Sequence, residues 1–581
     1  MLRTITAFSA IALVTACGGT ESSKPESDTT EIAESNPAET HSSDALLMPL
    51  PAQTTAAITA EDLAVRISTL ADDTFEGRAP GSEAGEASAR WIAAEMERIG
   101  IQPGIEGSYL QPVGMVELTL DEAGSGLSIG GASEPIDAVL GRDAVIWSKR
   151  QTEDTLSFTD SELVFVGYGV VAPEYGWDDY AGIDAAGKTV VMLVNDPGFG
   201  NPDEELFKGS AMTYYGRWTY KFEEAARQGA TGAIVIHETL PASYGWDVVA
   251  NSWSGPQADL VRGNAGEDRT IMEAWISSDM ASRLFAEAGL DFDEQKRAAR
   301  AQGFAPLSMG NLTATATLNQ SMQTRESNNV VGVIPGQTRP DEYVLYTGHW
   351  DHLGNKGSDD TDPSQDLIFN GAVDNATDVS AILDIGEALI AEELDRSVLF
   401  LAVTLEESGL LGSAFYAENP TVPLSQIAAG INIDAMLPVG QTRDMVVVGY
   451  GASELEDLLT DVLKDQDRII VPDPNPAAGY FYRSDHISLA KKGVPMLYAD
   501  GGQDKVDGGP SAGQALSALY TRERYHKPAD EYDETWDLSG MVEDVTALFE
   551  VGKAVATSET WPEWYEGNEF KAIRDASRLA N

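Results

Sequence analysis

Three apolar runs in the C-terminal half, Tyr343-Val344-Leu345-Tyr346, Val398 to Leu405 and Ala429 to Ile433, are nearly continuous and read as strands buried on both faces of a parallel sheet. Val379, Ile382, Leu383, Gly386 and Leu389 recur at helical spacing instead, which predicts a core-facing amphipathic helix with Asp374 just before its first turn. Near the N-terminus, Leu63, Ile67 and Leu70, then Ala89, Ile92, Met96 and Ile99, predict helices around Glu76-Gly77-Arg78-Ala79-Pro80-Gly81, with Arg78 in a structural role. Between them the texture changes. Leu163 to Gly169 and Lys188 to Val194 are short β-branched runs with glycine turns, Ala225 to Ala230 is helical in character, and Ala233 to Ile236 is another strand. Tyr214, Tyr215, Trp218 and Tyr220 form an aromatic cluster expected in a core or an interface.

A chain of 581 residues exceeds what one hydrophobic core normally serves, so two folded units are expected. Acidic residues outnumber basic ones 93 to 38, and the net charge of -55 rules against nucleic acid as a partner. The one cysteine, Cys17, leaves no disulfide framework and no thiolate metal site.

The polar residues that interrupt the apolar pattern carry the chemistry. Gly348-His349-Trp350-Asp351-His352, Gly371-Ala372-Val373-Asp374-Asn375, Leu405-Glu406-Glu407, Asn432-Ile433-Asp434 and Tyr525-His526-Lys527-Pro528-Ala529-Asp530 each set an acid or a histidine at or beyond the end of a strand or turn. In open α/β sheets ligands collect beyond the carboxyl ends of the strands, so these groups converge. Each alone has a plainer reading: an Asp-Asn helix cap, a solvated Glu pair favoured by the helix dipole, a hydrogen-bonded His-x-Asp turn. Together, two histidines and three carboxylates with a spare glutamate suit two divalent metals that share a carboxylate and a hydroxide.

On those motifs, residues 320 to 555 resemble the co-catalytic zinc aminopeptidase and glutamate carboxypeptidase family of metallopeptidases. The resemblance implies an α/β fold, a mixed, mostly parallel sheet sandwiched by helices, with a β-rich α+β protease-associated domain inserted over 141–320. It makes His349, Asp374, Glu407, Asp434 and His526 the ligands of two Zn2+, with Asp374 bridging. Asp351 orients His349, Glu406 is the general base, and Tyr525 donates to the developing oxyanion. Asp351 in that role would fix the ring's tautomer, and Glu406, unable to share its neighbour's metal, is free to move a proton. Arg483-Ser484-Asp485-His486 is a second active-site-like loop. There His486 competes with His526 as the fifth ligand, and Arg483, Asp485 and His486 are otherwise placed beside the substrate. The family's Ser-Gly after Asp374-Asn375-Ala376 is replaced by Thr377-Asp378, an added carboxylate that either caps the helix or changes which residue types enter the pocket.

Met1-Leu2-Arg3 and the apolar run Ile5 to Ala16 read as a signal peptide, and Leu13-Val14-Thr15-Ala16-Cys17 resembles a lipobox. The expected layout is a signal peptide at 1–17, a disordered tether at 18–55, peptidase segments at 56–140 and 321–560 around the insertion, and a tail at 561–581. The implied protein is a lipid-anchored exopeptidase in the periplasm or outer membrane of a Gram-negative bacterium, acting on peptides as an aminopeptidase. Carboxypeptidase action is the nearest rival, since a free carboxylate needs an Arg-type clamp and Arg483 is in place for one. A scaffold module would lack metal ligands, and none is missing here. The oligomeric state is left open.

Overall fold

A computed structural model describes residues 46–203, 205–357 and 365–579. The signal peptide, the lipobox with Cys17 and most of the tether lie outside the described residues.

The three predicted strands form as Arg339–His349, Arg396–Val403 and Ile427–Asn432. They pair in parallel, the first lying between the other two, and Met496–Gly501 extends the row beside Ile427–Asn432. The antiparallel strands Leu307–Ile334 and Asp444–Val447 close the two sides of this row. The fold is therefore mixed α/β with a large central sheet whose middle is parallel.

Consecutive side chains explain why both faces must be covered. Val344, Tyr346, Val398 and Phe400 enter one buried cluster with the helices Ala60–Leu70, Glu83–Ile99, Thr377–Ile390 and Ser539–Thr557. Leu345, Leu399, Leu401 and Val403 enter another, with Tyr416, Ile487 and Leu489 from the helices Leu411–Glu418 and His486–Ala490. The two N-terminal helices start where their sequences supply caps: Thr59 accepts the Asp62 N–H and Ser82 the Gly85 N–H.

Thr377–Ile390 differs from the amphipathic expectation. Thr377, Asp378, Ser380 and Asp384 are buried along with all its apolar residues but the last, Ile390, because the helix lies between the sheet and the Ala60–Leu70 and Ser539–Thr557 helices.

The 141–320 segment builds its own two-faced core. Thr155–Phe165, Thr189–Leu193, Gly232–Ile236 and Met272–Ile276 are parallel neighbours with apolar clusters on either face. Its join to the rest is Leu307–Ile334, 28 residues long. The first half of that strand pairs with Thr155–Phe165 and Gly126–Gly130, and its second half with Leu110–Leu120 and Arg396–Val403. A boundary at 320 thus falls inside one continuous strand. The aromatic cluster lies at the seam, where Tyr214 packs against Tyr220 and meets Tyr482 and Phe570 of the C-terminal half.

The tether boundary is also corrected. Leu46, Met48 and Leu50 pack on the main core, and Thr54 donates to Glu387, so order begins before residue 55. The tail is anchored as well: Trp564 and Phe570 are buried, and the Arg574 guanidinium donates to the carbonyls of Ile427 and Ala428. Among the described residues no helix is long and apolar enough to cross a membrane.

Candidate metal centre

Parallel pairing puts three strand ends on one side of the sheet. His349 is the last residue of its strand, Asp434 follows Ile427–Asn432, and Glu406-Glu407 follow Arg396–Val403 after a sharp turn at buried Leu405, whose φ is 60°. Asp374 comes from the turn Ala372–Ala376 before the Thr377–Ile390 helix, and His526 from the loop after the helix Gly509–Glu523.

The side chains meet around Asp374. His349 Nε2 lies 3.3 Å from Asp374 Oδ1 and 3.5 Å from Asp434 Oδ1. On the other side, His526 Nε2 lies 3.2 Å from both Asp374 Oδ2 and Glu407 Oε2. Glu406 stands apart from the second group, with Oε2 3.9 Å from His349 Nε2.

These spacings test whether a metal suits the site. Nitrogen and oxygen donors about 2.0–2.2 Å from one tetrahedral zinc are separated from each other by about 3.3–3.6 Å. The four donor separations, 3.2 to 3.5 Å, agree with that edge length. Two donor sets that share Asp374 stand out: His349, Asp374 and Asp434, and His352, Asp374 and Glu407. The residues fit a pair of divalent cations.

Electrostatics points the same way. Burial would lower the His349 pKa, but Glu406, Asp374 and Asp434 hold it well above the ordinary range. Burial opposes the proton on His526 too, and Asp374 and Glu407 nonetheless raise it to about 9. Asp374 goes the opposite way: burial alone would raise it, and hydrogen bonds from His349 and His526 keep it well below the usual carboxylate value. Glu406 is pushed well above its ordinary value by burial and by Glu407 and Asp434, with His349 opposing. The carboxylates hold protons on the histidines, as a cluster short of positive charge does.

The supports are drawn from across the chain. The buried Arg78 guanidinium donates to the carbonyls of Trp350 (2.7 Å), Leu70 (2.8 Å), Gly371 (2.8 Å) and Asn370, clamping the segments that carry His349 and Asp374. It is presented by a tight turn in which Gly77 has φ 69°, and a Cβ there would come within 2.5 Å of the Phe369 carbonyl. The buried Asp530 carboxylate accepts the N–H groups of Val373 and Asp374. Asp530 ends the Tyr-His-x-Pro-x-Asp motif, and that spacing was the signal from which its role could have been found.

Asp351 does something other than expected. The His349 Nδ1 partner is the Asp351 backbone carbonyl at 3.0 Å, whereas the carboxylate lies 3.9 Å away and accepts the Glu406 N–H at 3.1 Å. The residue thereby ties the histidine's segment to the glutamates. Burial raises its pKa to about 7. Asp378 does not cap the helix: wholly buried, it accepts the Met436 N–H and braces the loop after Asp434.

The second loop divides. His486 is fully buried, set edge-on to Phe481 (4.5 Å) and against Tyr498 (5.1 Å), so it is corrected from a substrate-side residue or ligand to a core residue. Asp485 is also buried, with burial raising its pKa to about 7 and His349 opposing. Arg483 is half-buried and reaches the 141–320 segment, its guanidinium over the rings of Tyr244 and Tyr480 and donating to Ser243 Oγ at 3.4 Å. Tyr525 is 43% exposed and stacks on His526 at 4.0 Å.

A largely buried carboxylate–imidazole cluster at the carboxyl ends of parallel strands gives this α/β protein a candidate metal centre. Residues 329–549 match the model of "Peptidase family M28". Among curated proteins, "Aminopeptidase NAALADL1" of Mus musculus is 29% identical over 125 residues, 20% of this chain and 15% of that protein. "Probable glutamate carboxypeptidase AMP1" of Arabidopsis thaliana is 28% identical over 202 residues, 34% of this chain and 25% of that protein. The chain thus matches a quarter or less of the length of either relative. Among solved structures, an aminopeptidase from Aneurinibacillus sp. strain AM-1 aligns at TM-score 0.46 and 18% identity over 86% of this chain and 94% of that one.

Proposed function

We propose that the chain is a two-zinc exopeptidase that releases N-terminal residues from peptides. The observation that carries the reading is the shared position of Asp374, between His349 and Asp434 on one side and Glu407 and His526 on the other. Zinc held by these residues would supply Lewis acidity to a scissile carbonyl and lower the pKa of water.

The chain's own groups do the rest. Glu406 Oε2 stands 3.9 Å from His349 Nε2, wider than the spacing of the donors, and burial raises its carboxylate's proton affinity; it takes the proton from water and delivers it to the leaving amine. Asp351, on the Glu406 N–H, keeps that glutamate in register with the His349 segment. Tyr525, stacked on His526 at the open side, is the donor to the oxyanion. The cluster holds more carboxylates than cationic groups, which favours an incoming ammonium and supports the aminopeptidase reading.

Arg483 supports the rival. Its half-buried guanidinium, between Tyr244 and Tyr480, is the clamp a carboxypeptidase would use on a substrate carboxylate. The deciding experiment is hydrolysis of aminoacyl anilides, N-blocked peptides and C-terminally amidated peptides, with metal content measured on the same sample. Cleavage that requires a free amine, with about two metals per chain, is expected. A requirement for a free C-terminal carboxylate transfers the reading to a carboxypeptidase, and no cleavage by a metal-loaded chain removes it.

A further inference from the structure

We propose that His352 is a positioning residue that holds Glu407 Oε1 and so presents Oε2 to the metal; this rests on reading Asp374, Glu407 and His526 as metal donors. The His352 ring is 1% exposed and neither of its nitrogens has an aligned hydrogen-bond partner; Glu407 Oε1 likewise has none. Yet His352 Nδ1 is 2.6 Å from Glu407 Oε1, and 4.0 Å from Asp374 Oδ1.

The ring has little freedom. The His352 N–H donates to the Arg78 carbonyl at 3.2 Å, and the ring stands edge-on to His526 with centroids 5.7 Å apart. Its face lies against Gly371, where a Cβ would come within 2.6 Å of Cγ and Cδ2.

Proximity alone would allow either a ligand or a support, and spacing separates them. Donors that share one tetrahedral zinc are about 3.3–3.6 Å apart, close to the 3.2 Å between His526 Nε2 and Glu407 Oε2. The 2.6 Å between His352 Nδ1 and Glu407 Oε1 is too short for two ligands of one ion and is hydrogen-bond contact, a little inside the roughly 2.7–2.9 Å of a charge-assisted N–H···O bond. Aligned on the oxygen, the Nδ1–H makes a hydrogen bond across a distance that the packing already sets. That bond satisfies two buried polar atoms whose isolation is costly, and it fixes the carboxylate so that one oxygen is committed to His352 and the other faces His526.

The test is zinc titration of the metal-free full chain against a chromophoric chelator, for wild type, His352→Leu, His352→Asn and His526→Ala. In His352→Leu the affinity of one of the two sites falls about 10- to 100-fold, as loss of a ligand's supporting partner does, while the other site is unchanged and saturating zinc still fills both. His352→Asn, whose amide N–H can stand where Nδ1 stood, recovers most of the loss; a merely structural histidine would show no such rescue. A His352→Leu titration that superimposes on wild type overturns the proposal, and so does complete loss of the site to match His526→Ala, which would make His352 a ligand. If His352→Leu fails to fold, His352→Asn carries the test: near-wild-type affinity is expected, and a drop of 100-fold or more overturns the proposal. A wild-type chain that takes up no zinc overturns the two-zinc reading along with it.

Discussion

Replacing Arg78 with lysine tests whether the centre is held together from outside its own motifs. The guanidinium makes four hydrogen bonds to buried carbonyls, those of Trp350, Leu70, Asn370 and Gly371. Burial lowers its pKa to about 10, with Asp374, Asp530, Asp351 and Glu407 opposing, so it is charged at neutral pH. A lysine ammonium is a compact donor on a flexible stem and cannot reproduce the planar fork that serves four diverging acceptors. If two of the four bonds survive, the loss at about 1.5–3 kcal/mol per charged hydrogen bond is about 3–6 kcal/mol. That is a large share of the roughly 5–15 kcal/mol that keeps a typical protein folded. The damage is also local, because Trp350 and Gly371 flank His349 and Asp374, and a shift of about 1 Å in positioned groups can cost roughly 100-fold in rate. Thermal melting, metal content and turnover of Arg78→Lys are the assays. A melting temperature within a degree of wild type, with turnover unchanged, would refute the reasoning.

Glu406→Gln preserves shape and removes the proton acceptor, so turnover should drop by about 100- to 10,000-fold with bound zinc retained; appreciable activity would take the residue out of the base role. Chelation should lower the melting temperature and zinc should restore it, by about 2.7 kcal/mol per site when zinc stands at 100 times its Kd; a melt indifferent to chelator and zinc would count against the centre. His486 supplies a pH test. Burial depresses its pKa to about 3, so between pH 6.5 and 3 the unfolded chain binds a proton that the folded one does not, and stability falls as pH drops through that window. From pH 7.5 to 5 wild type should lose about 2 kcal/mol that His486→Phe does not, read from urea midpoints; equal losses would show that the ring is not buried neutral.

The apolar runs ending near His349, Glu406 and Asp434 were legible because strands buried on both faces need uninterrupted apolar sequence, and a polar group at the end of such a run must have a purpose. Position along the chain also picks out Asp374 and His526, whose side chains meet in the structure. What position could not supply was orientation. Asp351 serves His349 through its carbonyl because the turn after the strand points the carboxylate at the Glu406 N–H instead. His352 and His486 both look like active-site histidines in one dimension; only the packing sends the first against Glu407 and the second among Phe481 and Tyr498. Leu307–Ile334 spans the expected boundary because its alternating pattern records which face is buried, not which neighbour pairs with it. Local sequence determined the strands, the turns and which acids and histidines stand at their ends, since these depend on residues close together. Tertiary structure decided the clamp by Arg78, the burial of the polar residues Thr377, Asp378, Ser380 and Asp384 of the Thr377–Ile390 helix, and the pairing of His352 with Glu407, since each joins atoms whose positions are set by packing and chain topology rather than by any pattern within one segment.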